Sequence, residues 1–275
     1  MSTQTTEVTP RELSGVERLW GEGAFAKLQS SVAVVIGIGG VGSWCAEALS
    51  RSAVGSLILI DLDHVSPSNI NRQLIATQNT LGLSKVEAMK RRIESIHTWS
   101  SVHVVEDMLD VESGPSIFDR IFQIAGDRPL VVIDCCDDTS AKAWLVKQQQ
   151  HMIEQHSTTE WKLVISGAAG GKKHPHMIRL QNLSSVTHDP LISSLRKRLK
   201  HAIPAEQIVR LMESIDCVYS IEPVATPKPS DTCDPRAKLH CAGYGSSVMV
   251  TASFGMTAAA CATEWLLKHT TNSYK

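Results

Sequence analysis

The sequence predicts an α/β protein with a doubly wound, Rossmann-like, mainly parallel sheet and flanking helices. Two observations carry this prediction: apolar runs of strand length alternate with helix-length segments, and the first run leads into a glycine-rich turn. Runs that are apolar throughout are typical of parallel strands, because helices cover such strands on both faces. The expected strands are Val32–Ile36, Leu57–Ile60, Val102–Val105, Leu130–Ile133 and Leu163–Ile165.

The segments between these runs are interpreted as helices. Arg11–Leu28 carries spaced apolar residues around two glycines, which predicts one or two short helices. Ser84-x-x-Glu87 has the pattern of a capping box and predicts a helix that starts just after Ser84. Further helices are expected at Ile117–Ala125 and Thr139–His156.

The second half is less regular and is interpreted as a smaller, irregular C-terminal extension. It is expected to contain strands at His176–Leu180 and Cys217–Ile221, helices at Pro190–His201 and Glu206–Ser214, a loop at Val224–His240 and a closing apolar helix at Ser247–Lys268. We therefore expect an N-terminal helical segment (1–30), a nucleotide-binding domain (31–170) and a C-terminal substrate and dimer region packed on it (171–275). The closing helix is long enough to cross a bilayer, but polar residues interrupt it, so we interpret it as a core helix.

Composition limits the function classes. The formal net charge is −1, so a nucleic-acid or membrane surface would have to be a local patch. None of the seven cysteines forms a C-x-x-C pair, and no signal peptide is visible, which predicts reduced thiols in the cytoplasm. Cys233, His240 and Cys241 lack zinc-ligand spacing, so no structural zinc is expected. No transmembrane span is expected, and peripheral membrane association stays open.

The glycine turn points to a nucleotide. Gly37-x-Gly39-x-x-Gly42 follows the first strand and opens a helix, and Asp61 ends the next strand about 20 residues later. Glycines let the backbone approach a phosphate, and the free N–H groups of a helix start favour an anion. A glycine turn of an unrelated α/β fold is the alternative.

A polar loop after the second strand indicates a triphosphate. Asp61-x-Asp63 is followed by Ser68–Gln73 and then by Lys85. Arg72 and Lys85 would neutralise a polyphosphate, and both would stabilise the charge that develops when its α-phosphorus is attacked. Asn69 and Gln73 could orient it. Solvated surface charges are the alternative.

Two acids after the fourth strand are candidate metal ligands. Asp137 is the stronger candidate, because Mg²⁺ prefers one or two carboxylates with phosphate oxygens. Asp134 is a weaker one. A helix N-cap is the alternative role for Asp137 or Asp138, and Asp138 is the one expected to cap the following helix. The neighbouring Cys135 and Cys136 are interpreted as packing residues. So is Cys217, although it is the best candidate if a thiol takes part.

Together these motifs resemble the adenylating superfamily of ThiF, MoeB and the ubiquitin-activating enzymes. The resemblance implies ATP and Mg²⁺, a homodimer, and conversion of a carboxylate to an acyl-adenylate. It assigns the nucleotide to Gly39, Gly40, Gly42, Asp61, Asp63, Asn69, Arg72, Gln73 and Lys85, and the magnesium to Asp137. It implies catalytic roles for Arg72, Lys85 and Asp137. It implies one also for Arg18, which would act on the neighbouring subunit.

The second half resembles one branch, the tRNA threonylcarbamoyladenosine dehydratases, through HDPLISSLRKRLKH, DCVYSIEP and GYGSS. The branch implies adenylation of the threonine carboxylate in tRNA, then ring closure with loss of AMP. Two alternatives remain: activation of the Gly-Gly terminus of a sulphur-carrier protein, with possible sulphur-transfer partners, and a nicotinamide-dependent oxidoreductase or binding module. Two basic spots could meet tRNA phosphates or be solvated faces: Arg196, Lys197, Arg198, Lys200 and His201, and Lys172, Lys173 and His174.

Overall fold

The computed structural model describes residues 9–154, 161–225 and 244–270. The predicted loop Val224–His240 lies outside the described residues except for its first two, and Cys233, His240 and Cys241 lie wholly outside them.

A seven-stranded sheet with the order β3-β2-β1-β4-β5-β7-β6 forms the centre of the described chain. All neighbouring strands are parallel except β6 and β7, which pair antiparallel. The strands are β1 Val32–Ile36, β2 Ser56–Ile60, β3 Ser101–Val105, β4 Leu130–Asp134, β5 Trp161–Ser166, β6 Ile178–Asn182 and β7 Asp216–Ser220. The predicted doubly wound α/β fold is confirmed.

Helices cover both faces of this sheet. The α-helices are α1 Ser14–Trp20, α2 Ala24–Gln29, α3 Gly42–Arg51, α4 Lys85–Glu94, α5 Gly114–Ala125, α6 Thr139–Glu154, α7 Pro190–Ala202, α8 Ala205–Ser214 and α9 Val248–His269. Short 3₁₀ turns occur at Arg11–Leu13, Pro67–Asn69, Pro175–Met177 and Leu183–Ser185. Helices α1 to α4 and α9 share one apolar core with the sheet, and α5 to α8 share the other.

Two local predictions need correction. Ser84 does not build a capping box: helix α4 begins after it as expected, but its side chain makes no capping bond and the Glu87 carboxylate accepts from Arg91 Nε at 3.1 Å. A capping box forms instead between Ser66 and Asn69. Strand β6 begins two residues later than predicted, since Pro175 initiates a 3₁₀ turn there.

The strand order places a topological switch point between β1 and β4, where open α/β sheets bind ligands. The loops that follow these two strands therefore flank one crevice. An ion pair stabilises the loop after β4: Asp134 Oδ2 and Lys142 Nζ are 3.0 Å apart, and both side chains are fully buried. Burial by itself would lower the pKa of Lys142, but the Asp134 carboxylate, together with Cys135 and Cys136, raises it above its ordinary value.

Helix α9 is a core helix, as expected from its sequence. It crosses α3 so closely that Gly255 lies in the contact: a Cβ there would be 2.5 Å from Val41 O and 2.8 Å from Cys45 N. None of the helices in the described residues combines the length and the apolar character that spanning a bilayer requires.

We expect the Gly255→Ala variant to be destabilised by about 1–3 kcal/mol, because a methyl group would force the two backbones apart. Urea unfolding at fixed protein concentration measures this. The matched control is Gly15→Ala in helix α1, where a Cβ would meet nothing within 4 Å. That variant should gain stability from helix propensity, by about 0.5–1 kcal/mol. A gain in both variants would contradict the close crossing.

Candidate nucleotide-binding site

Asp61 ties the end of β2 to the glycine turn after β1. Its Oδ2 accepts a hydrogen bond from Ile38 N at 2.6 Å, and its Oδ1 accepts one from Asp63 N at 2.8 Å. Burial raises the pKa of the Asp61 carboxyl above its ordinary value, and Lys85 with the two N–H donors offsets this only in part. The acid thus shapes the turn from the end of β2, where dinucleotide-binding folds carry an acidic residue.

The glycine turn and the polar loop 64–84 face each other. A Cβ on Gly39 would lie 3.7 Å from Gln73 Nε2, and one on Gly40 would lie 3.3 Å from Arg72 Cγ. A Cβ on Gly42 would lie 1.8 Å from Gly37 O, so only glycine permits the turn to close on itself. The structure therefore brings Arg72 and Gln73 to the turn that the sequence predicted as the phosphate cradle.

Arg72 is fixed at both ends. Its carbonyl accepts from Trp44 Nε1 at 3.1 Å and from Thr251 Oγ1 at 3.4 Å. Its guanidinium Nη1 donates to Ser68 O at 2.7 Å and to Asn71 Oδ1 at 2.9 Å. Sequence reasoning missed Trp44 and Thr251, because both lie in segments whose apolar character indicated core helices.

The two buried carboxamides of this loop, Asn69 and Gln73, have different roles. The Asn69 side chain is buried and its Oδ1 accepts from Ser66 N at 3.0 Å, so it holds the 3₁₀ turn together. Gln73 is also buried, but among the described residues its Oε1 has no hydrogen-bond partner. A buried acceptor without a donor is costly, so Gln73 Oε1 is an acceptor available to a ligand or a water molecule.

Lys85 lies in the same crevice. Its Nζ is 2.6 Å from Asp63 Oδ2 and 3.8 Å from Asp61 Oδ1. The lysine side chain is 8% exposed whereas that of Asp63 is 73% exposed, so the ammonium group is held inside and its partner faces solvent. An ammonium group has three N–H donors, and the bond to Asp63 uses one of them.

The loop after β4 forms the other wall. A Cβ on Gly37 would be 2.9 Å from Cys136 N, so this loop touches the glycine turn. Asp137 is exposed on the loop, and Asp138 Oδ1 accepts from Ala141 N at 3.1 Å as the expected helix cap. Asp134 is paired with Lys142 and buried, which removes it as a metal ligand.

One exposed carboxylate suits magnesium, which binds proteins through one or two carboxylates and takes other ligands from phosphate and water. Asp137 therefore fits as the residue that would hold this ion. No group of three or more His, Cys, Asp or Glu side chains arranged for a metal ion occurs within 9–154, 161–225 and 244–270.

The three cysteines near the sheet ends do not have reactive surroundings. A hydrogen bond with Cys45 and burial raise the pKa of Cys135, while burial and the Asp134 carboxylate raise that of Cys136. Burial also raises the pKa of Cys217. Thiols of raised pKa are poor nucleophiles, which supports packing roles.

Arg18 lies apart from these residues. It is exposed on α1, and its Nη2 donates to Ser14 Oγ at 3.5 Å in the same helix. Among the described residues, no hydrogen bond or ion pair links Arg18 to the crevice. Leu19 and Trp20 beside it are 74% and 40% exposed.

The comparisons with known proteins agree with this geometry. Residues 13–275 match the ThiF family. Two relatives are called tRNA threonylcarbamoyladenosine dehydratase. The protein from Haemophilus influenzae is 34% identical over 259 residues, and that from Escherichia coli is 34% identical over 266 residues; in each case 94% of both chains is covered.

A solved structure is also similar over most of its length. The E. coli tRNA N6-threonylcarbamoyladenosine dehydratase in complex with ATP superposes with a TM-score of 0.76, at 32% identity and with 94% of each chain covered. The match includes the C-terminal half, which the nucleotide motifs do not reach. This chain therefore belongs to the ThiF family.

Proposed function

We propose that this protein is an ATP-dependent tRNA threonylcarbamoyladenosine dehydratase. One observation carries the proposal: the similarity to the dehydratases covers 94% of both chains, and so includes the half of the chain beyond the nucleotide motifs. The crevice supports it, because Arg72 and Gln73 lie against a glycine turn at the switch point of the sheet, and Lys85 contacts the Asp61 carboxylate that holds this turn.

The reaction has two steps. A carboxylate oxygen of the threonine group attacks the α-phosphorus of ATP, and pyrophosphate leaves. The carbamoyl group of the same nucleotide then attacks the activated carbonyl carbon, loses a proton, closes a ring and expels AMP. The oxygen atom of the lost water therefore leaves in the phosphate of AMP. The second attack is intramolecular and gains from a high effective concentration.

The residues of this chain would act mainly by electrostatics. The glycine turn and the first N–H groups of α3 accommodate the nucleotide, and Asp61 accepts from its ribose. Arg72 and Lys85 stabilise the negative charge that builds on the α-phosphorus and on departing pyrophosphate. Asp137 would hold Mg²⁺, which supplies further charge neutralisation when bound. Asp63, as the partner of Lys85, would position that lysine.

We also propose that the protein is a cytoplasmic homodimer in which 1–30 contributes Arg18 to the neighbouring site. The support is the position of Arg18, which lies outside its own crevice beside exposed Leu19 and Trp20. In this arrangement 31–170 forms the adenylation domain, and 171–275 forms the substrate and dimer region.

Incubation of the pure protein with ATP, Mg²⁺ and tRNA that bears threonylcarbamoyladenosine should remove one water from that nucleoside and release AMP. Nucleoside mass spectrometry measures the loss. The control is the same tRNA with ATP omitted. If the nucleoside stays unchanged while a carrier protein ending in Gly-Gly stimulates pyrophosphate exchange, the sulphur-carrier alternative replaces this proposal.

Arg72→Ala and Lys85→Ala should each lower AMP formation by at least about 100-fold, because each removes a cation from the developing charge. The fold should persist, since the Arg72 carbonyl contacts with Trp44 and Thr251 do not need the side chain. Single-turnover AMP release measures the effect.

The matched controls lie on helix α4. Arg91→Ala and Lys90→Ala each remove one positive charge of the same kind. Arg91 is exposed and pairs with Glu87, and Lys90 is half-buried and pairs with Glu94. They should keep the wild-type rate. Wild-type turnover in Arg72→Ala or Lys85→Ala would contradict the site assignment.

A mixture of Arg18→Ala and Lys85→Ala proteins tests the subunit-crossing role. Each variant alone should be inactive, whereas random re-assortment should restore about a quarter of wild-type activity, because half of the dimers are mixed and each has one complete site. Native mass spectrometry verifies that mixed dimers form. If they form and activity does not return, Arg18 does not act on the partner subunit.

A further inference from the structure

Helix α7 presents a strongly basic surface that the adenylation chemistry does not use. Its sequence, PLISSLRKRLKHA, contains no acidic residue. Leu191, Ile192, Leu195 and Leu199 pack into the core, so the opposite side of the helix carries the polar residues to solvent. The structure decides which of these polar residues remain available.

Arg196 is not available. Its guanidinium donates to Ser184 O at 2.9 Å and to Val186 O at 2.7 Å, so it holds the preceding segment to the helix. The side chains that stay exposed along one stripe are Ser193, Lys197, Lys200 and His201, hereafter the α7 basic face. Arg198 is also exposed, but at about 100° per residue it lies beside this stripe and not on it. Together with Arg196 the residues of the α7 basic face border a shallow surface hollow of about 450 Å³.

The second basic spot that the sequence suggested has a different character. Lys172 is fully buried, where its Nζ donates to Ser220 O at 3.1 Å. The backbone N–H groups of Lys173 and His174 donate to the Glu222 carboxylate at 2.9–3.1 Å, which places an acid beside them. The contacts of this second spot are therefore mainly structural, and the α7 basic face is the better candidate for binding anions.

Helix α7 starts at the same end of the sheet as the crevice. Asp189 caps α7, its Oδ1 accepting from Ile192 N at 3.0 Å, and its Oδ2 accepts from Ala168 N at 2.8 Å in the turn after β5. The helix thus begins at the sheet edge where parallel strands end. At 1.5 Å per residue, Lys197 to His201 lie about 12–18 Å along the axis from that edge.

We propose that the α7 basic face binds the sugar-phosphate backbone of the substrate tRNA, away from the nucleotide that reacts. This proposal rests on the proposed function. The exposed lysines Lys197 and Lys200, with the hydroxyl of Ser193 and no acidic residue in the helix, suit the phosphate groups that recur along an RNA strand. Such contacts position the RNA and carry no base information, consistent with the lack of a Phe, Tyr or Trp side chain on this face.

The test variant is Lys197→Gln/Lys200→Gln. Its affinity for tRNA, measured by fluorescence anisotropy, should fall about tenfold at moderate salt. The slope of log affinity against log salt should become shallower by about 1.4–1.8, because two phosphate contacts are lost. The KM for ATP and the kcat at saturating tRNA should stay unchanged, since neither lysine contacts the crevice.

A matched variant, Lys90→Gln/Arg91→Gln, separates a local effect from net charge. It removes the same charge from α4, which packs on the opposite face of the sheet. It should bind tRNA like wild type with an unchanged salt slope. Equal losses in both variants would show a dependence on net charge alone and overturn the proposal, as would an unchanged slope in the α7 variant.

Measuring tRNA binding and product formation in parallel separates the docking face from the proposed function. If wild type binds tRNA, the α7 variant loses that binding and no dehydrated nucleoside forms, the docking face stands and the proposed function falls. If product forms in wild type and the α7 variant keeps the wild-type KM for tRNA at every salt concentration, the proposed function stands and the docking face falls. If wild type does not bind tRNA at all, both fall.

Discussion

The site depends on backbone segments that lie closer together than any side chain would allow. Gly42 packs against the carbonyl of Gly37, and Gly37 packs against the backbone of Cys136, with no room for a Cβ at either position. These approaches bring the loops after β1 and β4 together across the switch point. The crevice between them, the start of α3 and the position of Asp137 all follow from that contact.

Charge is arranged on both sides of this frame. At the end of β4, Asp134 and Lys142 form a fully buried ion pair, and removing either partner would leave an unpaired buried charge. At the end of β2, Asp61, Asp63 and Lys85 form a partly exposed set whose lysine has N–H donors beyond the one that binds Asp63. The buried pair fixes the loop after β4, and the partly exposed set is where ligand charge would be met.

The C-terminal half takes part in the same construction. Strands β6 and β7 extend the sheet, and α9 packs on α3 through Gly255. Thr251 of α9 reaches the carbonyl of Arg72, and the backbone of Ser246 accepts from Asn71 Nδ2 at 3.0 Å. The nucleotide loop is therefore held by residues that follow it by more than a hundred positions in the chain, which gives the second half a direct influence on the site.

Much of this protein could be predicted from the sequence, because the determining signals are local. Continuous apolar runs specify parallel strands, and Gly37, Gly39 and Gly42 with Asp61 specify a nucleotide turn, since each depends on residues near one another in the chain. The expected capping box at Ser84 was wrong, because a short polar pattern does not reveal which side chain turns back to the helix. Only the tertiary structure separated the basic residues of α7 into a pinned Arg196 and exposed Lys197 and Lys200. Only the tertiary structure showed that Asp134 is neutralised by Lys142, and that Trp44 and Thr251 hold Arg72. Those facts depend on burial and on contacts between distant segments, which the order of residues does not display.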